Sequence, residues 1–183
     1  MTDHRHDPTH GHPHDHPHDH PHEHFAKDVT TAACRVIVVS DSRTLDTDTG
    51  GKTVAELLLA AGHGVAERVV VRDEVAEIRA AVEAAVAAKN DVVILTGGTG
   101  ITPRDVTPEA VRPLLSRELP GFGEAFRRLS QEEIGVHGLL SRALAGLSGD
   151  TLVFALPGSR RACVSALEAL ILPLLPHALG LRR

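Results

Sequence analysis

The residues best equipped for chemistry lie in one stretch, Asp91-Val-Val-Ile-Leu-Thr-Gly-Gly-Thr-Gly-Ile-Thr-Pro-Arg-Asp-Val-Thr-Pro-Glu109. The glycines of Thr96-Gly97-Gly98-Thr99-Gly100 lack Cβ atoms, so the backbone can turn sharply and approach a ligand closely. Asp105 follows the loop, where its carboxylate could hold a metal ion or a proton. Behind it Thr107 reads as an N-cap and Pro108 as the first residue of a helix, whose free N–H groups would face the loop. A strand end, a glycine loop and a helix start together form a construction that holds phosphates. Tight strand-to-helix turns also need glycine, so the loop alone fits a structural role as well as a functional one.

Those residues act only if the rest of the chain brings them together. The run Val92, Val93, Ile94, Leu95 reads as a buried strand of a parallel sheet. Before it, Arg35–Val39 is strand-like, a helix carries Val54, Leu57, Leu58 and Ala61 on one face, and Gly62 ends it. Val65–Val71 is a second strand, and Val75, Ile78, Val82 and Val86 then recur at helical spacing. After the glycine loop, Gly121–Ile134 has Phe122, Phe126 and Leu129 on its apolar side. Residues 143–156 hold two β-like runs around Leu147-Ser148-Gly149-Asp150, a hairpin signal. A last helix carries Ala166, Leu167, Leu170, Ile171 and Leu174. Alternating strands and helices predict an α/β fold: three α/β/α layers around a mostly parallel, mixed central sheet with one antiparallel strand, Rossmann-like in plan.

In such sheets ligands bind beyond the carboxyl ends of the strands. The loops expected there are Ser40–Asp41, Arg72–Glu74, Thr96–Asp105 and Pro157–Ser159. Three contain carboxylates and two contain glycine turns, which suits a phosphate compound with Mg²⁺. Other candidates have plainer readings. Asp73 could cap the helix that carries Val75 and Ile78, Ser40 and Asp41 could tie down a loop, and Arg142 could pair with an acid. Asp46 and Asp48 read as surface groups, His63 as structural, His137 as loop-borne and His177 as exposed.

Composition excludes several classes. Residues 1–31 carry six acids against Arg5 and Lys27, which leaves the body near neutral within a total formal charge of −5. With no Trp, no Tyr and four Phe, the body lacks a basic face and stacking platforms, so nucleic-acid binding is not expected. The richest apolar stretch, Leu167–Leu179, is broken by Pro173 and Pro176, so no bilayer span is expected. There is no apolar signal core at the N-terminus, and Cys34 and Cys163 are isolated thiols; a reduced, cytoplasmic setting fits both facts.

Taken in order, several motifs are similar to those of the MoaB/Mog family of molybdenum-cofactor biosynthesis proteins. They are Val39-Ser-Asp41, Asp48-Thr-Gly50, Thr96-Gly-Gly-Thr-Gly100 with Asp105-Val-Thr-Pro108, Pro120-Gly-Phe-Gly-Glu124, Leu140-Ser-Arg142 and Leu156-Pro-Gly-Ser159. The resemblance spans Arg35 to Pro176, and Leu129–Gly135 brings it nearer the MoaB branch. It implies MgATP-dependent adenylylation of molybdopterin before molybdate insertion, with ATP as co-substrate. It also implies that Asp73 and Asp105 are catalytic and place Mg²⁺ and the reacting phosphates, and that Thr96 to Gly100 cradle the anionic end. Ser141 and Arg142 would contact phosphate or pterin, Gly158 and Ser159 would line the pterin pocket, and Ser40 and Asp41 would bind substrate or phosphate. A homotrimer or hexamer and contact with a molybdate-insertion enzyme are further implications. A non-catalytic MoaB-type molybdopterin carrier is the alternative, since such a protein needs the glycine loop but not both acids.

Residues 1–31 form a separate histidine-rich tail ahead of a domain at 32–183. His12, His14, His16, His18, His20, His22 and His24 alternate with Asp, Pro, Glu and one another's spacing, leaving almost nothing to bury. The tail is either a solvated extension or a fluid Zn²⁺ or Ni²⁺ binder. Deleting residues 1–28 is expected to leave adenylylation and thermal stability nearly unchanged and to cut Zn²⁺ or Ni²⁺ uptake sharply. Uptake should fade below about pH 6.5, where protons compete for the imidazoles. Equal uptake by full-length and truncated protein in equilibrium dialysis would put the metal in the body.

Overall fold

A computed structural model describes residues 29–181. The histidine residues of the tail proposed for metal binding lie outside the described residues. Six strands form one sheet in the order β2-β1-β3-β6-β5-β4. They are β1 (Ala33–Val39), β2 (Gly64–Val71), β3 (Val92–Thr96), β4 (Arg117–Glu118), β5 (Leu144–Ser148) and β6 (Thr151–Leu156). Pairings β1–β2, β1–β3 and β3–β6 are parallel, whereas β5 runs antiparallel to both β6 and β4. One reversed strand in a mixed sheet is what the hairpin signal predicts; the two-residue edge strand β4 is too short to be read from periodicity.

Side chains alternate across the sheet and build a core on each face. On one face Val36, Ile94, Phe154 and Leu156 pack against α1 (Gly50–Ala60), α4 (Pro120–Ile134) and the C-terminal helical segment through Val54, Leu58, Phe122, Phe126 and Leu167. On the other, Ile37, Leu95 and Val153 pack against α2 (Val75–Ala87) and α3 (Thr107–Val111) through Ile78, Val82 and Ala110. Each fully buried Ile or Leu contributes roughly 1.5–3 kcal/mol. Val29 packs against the first core, and its N–H donates to the Pro176 carbonyl at 3.1 Å. Cys34 and Cys163 are free and buried, and burial pushes both thiols up to about 12, which keeps them protonated and inert.

The C-terminal segment corrects two expectations. Its helix does not stop at the prolines: α5 (Arg160–Ala166) runs through a π turn at Leu167–Ile171 into α6 (Leu172–Leu181), with Pro176 inside. The wide turn adds nearly one residue per turn, so Leu175 rather than Leu174 faces the core. The continuous helix Arg160–Leu181 is therefore long and apolar enough, by length and composition, to cross a membrane. Here it is a core helix, since Cys163, Ala166, Leu167, Ile171, Leu175 and Leu179 are all buried against the sheet side of the body.

Strand order reverses direction between β1 and β3: the chain passes from β1 to β2 on one side and returns to β3 on the other. The crevice beyond their carboxyl ends is where a ligand fits in this architecture.

Candidate functional site

The glycine loop fills that crevice. Gly97 (φ +104°) lies against β1 so closely that a Cβ would sit 2.2 Å from the Val39 carbonyl oxygen. Gly98 (φ +63°) is equally closed, since a Cβ there would meet Thr107 Oγ1 at 2.4 Å and Asp73 Oδ1 at 3.0 Å. These two positions require glycine.

Four of the loop carbonyls are taken up by hydrogen bonds within the protein. Thr107 Oγ1 donates to the Gly97 carbonyl at 2.8 Å and the Thr107 N–H to that of Gly98 at 3.0 Å. Arg142 takes the other two: its N–H donates to the Thr99 carbonyl at 2.9 Å and its Nε to the Gly100 carbonyl at 2.6 Å. Four lone-pair-bearing groups that would repel a phosphate are thereby removed from the loop's outer surface. Thr107 is thus not the N-cap expected from its position; Val106 precedes the helix, and the threonine hydroxyl is spent on the loop. The guanidinium of Arg142 also contacts the Asp105 carbonyl and the Glu109 carboxylate, so it braces the loop from behind. The Thr96 hydroxyl, at the end of β3, is buried with no hydrogen-bond partner, an orphan of the kind a ligand site leaves.

Two carboxylates reach this loop from different elements. Asp73, in the turn after β2, lies beside Gly98, and Asp105 lies beside Gly100, where a Cβ would be 2.8 Å from Oδ2. Asp73 is not the helix cap: Glu74 holds that position and makes no side-chain capping bond. The environments of the two acids differ. Burial and then the neighbouring Asp41 carboxylate push Asp73 above the usual carboxylate range. Partial burial of Asp105 is outweighed by hydrogen bonds from the Thr102 hydroxyl (2.6 Å), the Thr102 N–H (2.8 Å) and the Gly100 N–H, so its carboxyl titrates below that range.

Ser40 Oγ accepts from the N–H groups of Ser42 and Arg43 at 3.3 and 3.1 Å, which ties down the loop after β1. Asp41 is held by Arg104, and that pairing keeps its carboxyl below the usual range. Ser159 is the N-cap of α5, accepting from the Ala162 N–H at 3.3 Å, and Gly158 approaches the Gly97 Cα. On that side Thr99, Gly100, Phe126, Ser141 and Ser159 border an open cavity of about 220 Å³. It is smaller than the roughly 300–1,000 Å³ of whole-ligand pockets, so it suits one end of a ligand that continues along the loop. Asp105 and Arg142 line a separate, more open recess of about 390 Å³ with Thr102 and Glu109. The candidates thus divide: Thr99, Gly100, Ser141 and Ser159 border the cavity, with Gly158 packed beside Gly97, while Asp73, Asp41 and Ser40 do not line it.

Asp48 departs from its expected surface place. It is 5% exposed, accepts from the N–H groups of Gly51 (3.0 Å) and Lys52 (3.1 Å), and pairs with Arg68 of β2 at 2.8 Å. It fastens the start of α1 and not the ligand site. His63 is buried, His137 borders the cavity from a 3₁₀ turn, and His177 is half-buried rather than exposed.

Residues 35–177 match the sequence model of a family described as a probable molybdopterin binding domain. The chain belongs to that family. The molybdenum cofactor biosynthesis protein B of Halalkalibacterium halodurans is 46% identical over 151 residues, covering 81% of this chain and 89% of the relative. The Bacillus subtilis protein of the same name is 49% identical over 146 residues, covering 79% and 86%. A solved structure of a molybdenum cofactor biosynthesis protein B superposes with a TM-score of 0.79 at 46% identity, covering 81% of this chain and 94% of the other. The tungsten cofactor synthesizing protein MoaB from Pyrococcus furiosus does so at 0.72 and 38%, covering 82% and 99%. Family membership and fold expected from the ordered motifs both hold.

Proposed function

We propose that this member of the family serves molybdenum cofactor biosynthesis as an enzyme, adenylylating molybdopterin at the expense of ATP. The observation that carries the proposal is the convergence of two carboxylates from different elements on one glycine loop, Asp73 at Gly98 and Asp105 at Gly100. A carrier needs the loop to hold an anion; it has no need of two acids beside it. The names of the relatives support the pathway.

In the proposed step a terminal phosphate oxygen of molybdopterin attacks the α-phosphorus of ATP. A new P–O bond forms, the bond to the β-phosphate oxygen breaks, and pyrophosphate leaves with its charge. Such transfers ask a protein chiefly for positioning and charge neutralisation. The donor set suits Mg²⁺, which binds through one or two carboxylates together with substrate phosphates. Among the described residues no three His, Cys, Asp or Glu gather around a metal position, so the ion would arrive with the nucleotide. When bound, Mg²⁺ neutralises charge on the phosphate oxygens. Asp73 and Asp105 would hold it, residues 96–100 would cradle the anionic end, and the cavity beside Ser141 and Ser159 would take the pterin end. Purified protein with molybdopterin and MgATP is expected to release pyrophosphate and form adenylated product. Saturable pterin binding without pyrophosphate would establish a carrier instead.

The two acids predict the pH profile. Asp73 titrates above the usual range and Asp105 below it, so as pH falls Asp73 protonates first and sets the acid limb of kcat/KM. A limb at or below the ordinary carboxylate value of about 3.9 would refute this assignment. The stability consequence has the opposite sign. A folded-state pKa raised above the unfolded value stabilises at low pH, and that contribution is lost as pH rises through the folded value. At neutral pH ionised Asp73 therefore weighs against folding, and Asp73→Asn should keep or raise Tm while activity collapses. A drop in Tm with activity per folded molecule intact would mark a merely structural acid.

We extend the proposal to a trimer or hexamer and to handover toward a molybdate-insertion enzyme. Ile134, Val136, Leu139 and Leu140 expose large apolar side chains on one segment, a surface of the kind subunit contacts cover.

A further inference from the structure

Arg104 sits in the loop after β3 and contacts the loops after β1 and β2. It directly precedes Asp105. Its Nε and Nη2 donate to Asp41 Oδ2 at 3.0 and 2.6 Å, and its Nη1 donates to Glu74 Oε1 at 3.0 Å. The other oxygen of Asp41 accepts from the backbone N–H of Asp73 at 3.2 Å. Asp73 is therefore pinned twice by the residue next to Asp105: through Asp41 at its own N–H, and through Glu74 at the following residue. The sheet positions the ends of β2 and β3 only through β1, which lies between them. Side chains supply the direct link across the mouth of the crevice.

We infer that Arg104 is a positioning residue, a clasp that sets the spacing of the Asp73 and Asp105 carboxylates. The inference rests on the proposed adenylylation only for its kinetic consequence. Stability is not its purpose: Arg104, Asp41 and Glu74 are 57, 44 and 54% exposed, and ion pairs that wet contribute little to folding. Geometry is another matter, since a misplacement of about 1 Å in a reacting constellation can cost about 10²-fold in rate. A guanidinium can bridge two carboxylates with a fixed fork, whereas an ammonium is a single point of attachment.

The test uses the full chain and the variants Arg104→Met, Arg104→Lys and Asp41→Asn. Arg104→Met is expected to leave Tm nearly unchanged and to speed amide hydrogen exchange in segments 40–43 and 72–74 about tenfold, with strands β1 and β3 unaffected. It should lower kcat by roughly 10- to 100-fold while KM for ATP stays within about threefold. Arg104→Lys should resemble the methionine variant, because charge without the fork does not close the clasp. The double variant Arg104→Met/Asp41→Asn should be no worse than the Met variant alone, because both break one relay. Unchanged exchange in Arg104→Met, or full recovery by lysine, would overturn the clasp. Faster exchange in a protein whose wild type releases no pyrophosphate would retain the clasp and reject the adenylylation reading.

Discussion

Asp105→Asn is expected to keep the fold and to lower adenylylation by about 10²-fold or more, because misplacing a metal ion and its phosphates costs several kcal/mol of barrier. The substitution is conservative in shape. An asparagine oxygen can still accept from the Thr102 N–H and hydroxyl, which hold the carboxylate at 2.8 and 2.6 Å, so the turn after the glycine loop should survive. What disappears is the charge. Those same hydrogen bonds keep Asp105 ionised to low pH, whereas Asp73 is held less firmly in its charged form. Asp105 is thus the permanent anion of the pair, and its loss should be felt at every working pH. The measurement is pyrophosphate release under saturating MgATP and molybdopterin, with circular dichroism and Tm as controls for folding. Turnover near the wild-type rate in a well-folded variant would remove Asp105 from the reaction and leave it as the tie for residues 100–105.

What could be read in the chain before its structure divides along the range of the interactions involved. The strand Val92–Leu95, the glycine loop and the hairpin around Gly149 are dictated by neighbours along the chain, and all three occur where periodicity and turn chemistry put them. Thr107 shows the first kind of failure. Its sequence context favours an N-cap, but the Gly97 carbonyl, ten residues back, captures its hydroxyl instead. Asp48 shows the second: a polar loop hides that Arg68, twenty residues on, waits in β2 to pair with it. Arg104 was the least legible residue of all. Its partners Asp41 and Glu74 lie 63 and 30 residues away, and an arginine before an acid in a polar loop carries no local signal. The π turn at Leu167–Ile171 belongs with these, because it shifts the buried face by a residue and exchanges Leu174 for Leu175. The site acids had a different status: Asp105 stood out by its place behind the loop, whereas Asp73 was visible as catalytic only through the family resemblance.

Gly98→Val should abolish ligand binding at the loop, raising Kd for MgATP or molybdopterin by at least about 10²-fold. Two independent obstacles act together. At φ +63° a β-branched residue is strained whatever space surrounds it. The space is also taken, since the new Cβ would lie 2.4 Å from Thr107 Oγ1 and 3.0 Å from Asp73 Oδ1. Thr107 can yield only by releasing the Gly97 carbonyl that its hydroxyl holds, which turns a lone pair back toward the place of the anion. The neighbouring glycine provides the contrast. At Gly97 a Cβ would meet the Val39 backbone carbonyl at 2.2 Å, and backbone within a sheet cannot step aside. Gly97→Ala should therefore unfold or part β1 from β3, which says little about ligands, whereas Gly98→Val strikes the loop's outer turn and should leave a folded, non-binding protein. Calorimetric titration of each ligand into the folded variant decides the matter, and an affinity equal to the wild type would mean that the anion binds away from this loop.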